Sequence, residues 1–153
     1  MTSEAGDRSQ DEESNRSSVK RVMSALYPEV VISATEDGFE GSATYHPQKE
    51  HTGAPGWVQG GLAATVLDFV SARVARRALD SPVATGTLDL RYRQPVLIDG
   101  GPYEVIGTAE GARSRTVRVS SAIVNSSGHH LVEATGLFVA VTRETAPTID
   151  SDS

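Results

Sequence analysis

Asp68 is the residue on which chemistry would turn. It closes the run Leu62-Ala63-Ala64-Thr65-Val66-Leu67-Asp68, which follows directly on Gly53-Ala54-Pro55-Gly56-Trp57-Val58-Gln59-Gly60-Gly61. A glycine turn that permits close backbone approach thus feeds an apolar helix carrying one carboxylate. Burying a carboxylate requires compensating donors, so an acid in such a setting is a candidate functional group. When ionised, it can accept a proton from water or attack a carbonyl itself. From the residues alone, the alternatives are an acid at a helix interface or one facing solvent.

Other polar residues suggest less. Arg73, Arg76 and Arg77 stand near the end of the predicted helix, and Arg113, Arg115 and Arg118 follow a glycine-bearing turn. Both groups suit solvent exposure or contact with the phosphates of an anionic ligand. His46 and His51 are candidates to rim an entrance, or are ordinary loop residues. His129 and His130 lack the further ligands of a metal site, so no metal is expected. Trp57 is expected to anchor the loop against the helix. With no cysteine, disulfides, thiolate nucleophiles and zinc-thiolate clusters are excluded. The Gly-Ala-Pro-Gly run lacks the Lys-Ser/Thr ending of a phosphate-binding loop, and no Gly-x-Ser-x-Gly nucleophile elbow occurs.

The elements that must position Asp68 follow from periodicity. Leu62, Val66, Phe69, Val70, Val74 and Leu79 share one side of a helix predicted over residues 60–78. Ala64 and Ala72 lie four positions either side of Asp68, so its face is lined by small side chains. Strands are predicted over 30–34 and 39–45, joined at Asp37-Gly38, then over 86–92, 103–110, 115–126 and 130–141. A short helix is predicted over 19–27, ended by Pro28. This order is α+β, with one long helix, mostly antiparallel strands and no βαβ repeat. One helix covers only part of a six-stranded sheet, so the edges call for pairing, charge or a partner chain.

The 153 residues and net charge of −6 fit one domain. Residues 1–16 hold Glu4, Asp7, Asp11, Glu12 and Glu13 against Arg8 and Arg16 with no apolar face, and are expected to be a disordered acidic tail. The domain is expected over 17–143, with a flexible tail over 144–153. No segment has the apolar length of a membrane span, and the acidic opening does not look like a signal peptide, so cytoplasmic residence is expected. The negative balance argues against indiscriminate nucleic-acid binding.

The turn and helix around Asp68 resemble the hotdog-fold acyl-CoA thioesterases, particularly their PaaI-like and THEM-like branch. Members carry a His-Gly-Gly turn and an acidic residue eight positions after its first glycine. Gln59, Gly60, Gly61 and Asp68 correspond here. Val83-Ala84-Thr85-Gly86-Thr87-Leu88-Asp89-Leu90-Arg91-Tyr92-Arg93-Gln94-Pro95 resembles the family strand after the long helix, and the likeness runs from about Val30 to Val141.

The resemblance implies a central helix wrapped by an antiparallel sheet, paired as a homodimer or homotetramer, with each site drawing on two chains. It implies hydrolysis of an acyl-CoA or acyl-carrier-protein thioester, with CoA or phosphopantetheine as part of the substrate and no cofactor required. Asp68 would be base or nucleophile, the Gly60 N–H would stabilise the oxyanion, and Thr85 would orient Asp68 or water. Gln59 departs from the histidine: its amide can donate a hydrogen bond but cannot relay a proton. A hydratase would be expected to pair Asp with His, and no histidine stands near Asp68. The alternatives are an acyl-thioester-binding protein without turnover and a structural interaction protein. Arg113 and Arg115 are the candidates for a CoA phosphate.

Overall fold

The computed structural model describes residues 3–142; the expected tail over 144–153 lies outside them. Helix α1 (Ser3–Ala25) leads into the hairpin β1 (Val31–Thr35) and β2 (Gly38–Tyr45). A loop with one 3-10 turn (Lys49–His51) then reaches α2 (Gly60–Leu79), followed by β3 (Val83–Tyr92), β4 (Tyr103–Arg113), β5 (Thr116–Val124) and β6 (His130–Ala140). The six strands form one sheet in the order β1-β2-β4-β5-β6-β3, and every neighbouring pair is antiparallel.

Helix α2 packs against β2 through β6, as the apolar stripe requires. Val66, Leu67, Val70 and Val74 are fully buried, each contributing about 2 kcal/mol relative to exposure. Two apolar clusters result. One gathers Val66, Leu67 and Val70 with Tyr45, Val105 and Ile123; the other gathers Val74 and Ala75 with Val117, Val119 and Phe138. Gly41 of β2 permits the close crossing of α2, because a Cβ there would stand 2.6 Å from Val74 Cγ2. A buried hydrogen bond of 2.9 Å from Ser71 to Ser121 ties the helix to the central strand β5.

Helix α1 begins at Ser3 and covers most of the stretch expected to be disordered. Its described side chains from residue 7 to 17 are exposed, so core burial does not account for it. Glu12 and Arg16 stand four apart with the acid first, the spacing and orientation that favour a solvated helix. Its far end docks onto the domain. Leu26 just beyond it is buried, Tyr27 packs edge-on against Phe69 at 5.1 Å, and Arg21 pairs with Glu50 at 2.8 Å.

Strand β3 departs from simple alternation. Thr85 pairs with Phe138 of β6, but Thr87 pairs with Leu137, so Gly86 is an extra residue in a β-bulge. Val83 and Thr85 share the helix-facing side with Phe138. Beyond the bulge, Leu88, Leu90 and Tyr92 take that side opposite Gly136, Ala134 and Val132. Thr87, Asp89 and Arg91 face outward.

Candidate active site

The bulge determines where Thr85 points. Strict alternation would place it on the face of Thr87 and Asp89; the extra residue turns it toward α2 instead. Its hydroxyl donates to Asp68 Oδ1 at 2.8 Å. Asp68 is half-buried between the half-buried Ala64 and Ala72. The helix therefore presents a carboxylate on a face of small side chains, with one oxygen oriented by a neutral donor.

The entrance to α2 is built by a second group of contacts. Gln59 is the N-cap: its Oε1 accepts from the Leu62 N–H at 2.9 Å, a role more often filled by Ser, Thr, Asp or Asn. Gly53 must lack a side chain, since a Cβ there would lie 2.9 Å from the Gln59 Cα. With Oε1 committed to the cap, the Gln59 amide can offer a ligand only its NH2 donors. Gly60, the first helical residue, has no intrahelical acceptor for its N–H. Its carbonyl accepts from the Tyr92 hydroxyl at 2.7 Å. Trp57, Gly60, Tyr92, Pro95, Val96 and Val132 line an open groove of about 390 Å³.

Tyr92 was not singled out by the sequence. Its signal is a position on the inward-facing side of β3, after the bulge. Trp57 departs from the expected packing anchor: it is 48% exposed and contributes to the groove wall. His51 does not rim an entrance, for it is fully buried. Its Nδ1 accepts from the Tyr45 hydroxyl at 2.7 Å and the Gln48 N–H at 3.1 Å, so its Nε2 carries the proton and donates to the Val22 carbonyl at 2.9 Å. The His51 carbonyl accepts from the Gln59 N–H at 2.8 Å. One imidazole thus links α1 and β2 to the loop that sets the α2 entrance.

Burial, and secondly the neighbouring Tyr103, push the Tyr45 phenol well above its ordinary pKa of 10.0; burial raises Tyr92 as well. In the unfolded chain both phenols lose their protons near pH 10, whereas in the folded chain they lose them at higher pH. The unfolded state then binds fewer protons, so stability falls as pH rises above about 10. Urea midpoints at pH 8 and pH 10.5 should show this decline. Equal midpoints would contradict it.

Within one chain, Asp68 and Thr85 meet, and Gln59 meets Gly60. The two groups do not meet each other: Gly60 and Asp68 are separated by about 12 Å along one helix. Arg113 and Arg115 are exposed at the β4–β5 hairpin tip, where Arg115 Nη2 donates to the Ala140 carbonyl at 3.4 Å. No group of three or more His, Cys, Asp or Glu suited to a metal occurs among the described residues.

An antiparallel sheet around one long helix, with an acid at mid-helix, defines the chain as a hotdog-fold α+β protein. Solved structures agree with that class. A thioesterase superfamily protein is 28% identical over 73% of this chain, which spans 56% of that protein, with a TM-score of 0.63. Another, from Shewanella loihica PV-4, is 23% identical over 75% of this chain and 91% of its own, with a TM-score of 0.61. A hypothetical thioesterase from Streptococcus pneumoniae TIGR4, solved with coenzyme A, is 17% identical over 74% and 86% of the two chains, with a TM-score of 0.61. No family model and no curated protein matches the sequence. No helix among the described residues is long and apolar enough to cross a membrane.

Proposed function

We propose that this chain is a thioesterase that hydrolyses an acyl-CoA or acyl-carrier-protein thioester in a homodimer whose sites draw on both copies. The observation that carries this reading is the Thr85-oriented Asp68 on the central helix of a hotdog fold. A structural neighbour solved with coenzyme A supports the choice of thioester. Asp68 accepts a proton from the attacking water as the C–O bond forms, or attacks the carbonyl itself to give an anhydride that water then opens. The carbonyl electrons move onto oxygen and return as the C–S bond breaks. The departing thiolate takes up the proton drawn from the water, so the products are a carboxylic acid and a thiol.

The oxyanion needs a donor, and the Gly60 N–H at the positive end of α2 has the right character. Because about 12 Å along the helix separates it from Asp68 in one chain, this reading assigns the role to the Gly60 of a second copy. Gln59 assists by donating from its NH2. Because it relays no proton, binding of a thioester without turnover is the second reading.

Thiol release from short, long and aromatic acyl-CoAs and from acyl-carrier protein tests hydrolysis; no release above background from any of them overturns it. The cross-chain site has its own test. Gly60→Pro removes the N–H at a position that suits proline. Gln59 is already extended at φ −60° and ψ 133°, and a Cβ at position 60 comes no closer than 3.4 Å to the Tyr92 ring. Activity should fall by about 10²-fold. Equal co-assembly with Asp68→Asn chains should restore about a quarter of wild-type activity, since half the dimers then hold one complete site. No recovery would place both groups within one chain.

A further inference from the structure

A second cleft lies at the other end of α2. It holds about 370 Å³ and is lined by Arg73, Arg76 and Arg77 with Ile32, Ser81 and Pro82; Asp80 also borders it. We propose that this cleft is a binding site for a phosphate-bearing polyanion.

Spacing of three and four residues puts the arginines on one side of the helix, where like charges repel one another. The chain as a whole carries −6, so three cations gathered around one cavity stand against the general balance. None of the three enters an ion pair among the described residues, where the cations in ion pairs are Arg21, Arg93 and His130. Arg77 is held over the Phe39 ring, with its guanidinium carbon 5.4 Å from the centroid.

The ordinary use of such residues is to complement the negative end of a helix. That accounts for at most Arg76 and Arg77, because Arg73 stands outside the last turn. Two of the last four carbonyls of the helix, those of Arg76 and Arg77, have backbone partners already. The Ser81 N–H donates to the Arg76 carbonyl at 3.3 Å and the Asp80 N–H to the Arg77 carbonyl at 3.4 Å. The three exposed guanidinium groups enter no ion pair among the described residues, and their planar forks suit paired phosphate oxygens. Asp80 opposes an anion with one charge against three, which favours a ligand with more than one negative charge.

Two sources share this chemistry. One is the nucleotide end of a CoA-type carrier, since Arg76 lies about 12 Å along the helix from Asp68. The other is a free phosphorylated metabolite. Anion capture here does not depend on whether Asp68 hydrolyses anything, and binding is read without turnover.

Pyrophosphate titrated calorimetrically into the full chain at low ionic strength is the test. Binding should weaken at least about tenfold in Arg73→Gln/Arg76→Gln, with the circular dichroism of the variant unchanged because glutamine suits exposed helix positions. No pyrophosphate binding by the wild type overturns the proposal. So does undiminished binding by the variant, or loss confined to Arg113→Gln/Arg115→Gln, the competing pair at the hairpin tip. Competition by CoA but not pantetheine supports the site and assigns the carrier as its source; pyrophosphate binding without CoA competition supports it with a free metabolite.

Discussion

Asp68→Asn should lower thiol release by about 10²-fold or more while leaving the protein folded. Asparagine has nearly the same shape, and its amide oxygen can still accept from the Thr85 hydroxyl that donates to Asp68 Oδ1 at 2.8 Å. The substitution removes the negative charge and with it the proton acceptor or nucleophile. Its effect should therefore appear in kcat, with little change in melting temperature. Thiol release at the wild-type rate from the folded variant would sink the catalytic assignment. A silent substitution that disperses the assembly would instead make Asp68 part of a polar interface.

The second large effect is on stability. His51→Ala removes the partner of three buried or half-buried groups: the Tyr45 hydroxyl, the Gln48 N–H and the Val22 carbonyl. Unsatisfied buried polar groups cost about 1–3 kcal/mol each, and the deleted ring leaves a cavity as well. A loss of about 3–5 kcal/mol is expected, read as a lower urea midpoint. Tyr45→Phe provides the check. In the wild-type background it leaves Nδ1 short of one donor, whereas in His51→Ala it removes a hydroxyl that has already lost its acceptor. Its cost should shrink in the double variant. A His51→Ala protein within 1 kcal/mol of wild type would show that the imidazole does not hold the loop.

These two residues differ in how openly the sequence displays them. Asp68 stands out because a single acid interrupts an apolar run, and the helical period of Leu62, Val66, Val70 and Val74 fixes its face. The strands announce themselves by alternation and by the turns between them. His51 has no such pattern: it lies in a Gly/Pro-rich connection, and its burial depends on α1 closing over it. Helix α1 was obscured because its first half has no apolar face, and its support lies in charges four residues apart.

Around the candidate site, spacing placed Asp68 on its helix face and the family resemblance singled out Gly60, but the Gln59 cap was not legible. A glutamine whose own side chain caps the following helix is unusual, and the fit depends on Gly53 making room. Tyr92 was missed for a similar reason. Its contact with Gly60 joins residues distant in the sequence, through a strand whose facing reverses partway along.

That reversal makes chain length at Gly86 matter more than side-chain identity. Removing one residue there would bring the two halves of β3 into a single phase. Either Thr85 would rotate to the outer surface, leaving Asp68 without its hydroxyl, or Leu88, Leu90 and Tyr92 would rotate out from beneath the helix. No choice of amino acid could restore both halves at once. A related chain one residue shorter at this point would have to give up either the hydroxyl donor to its carboxylate or the inward facing of the rest of the strand, even if every other position were the same.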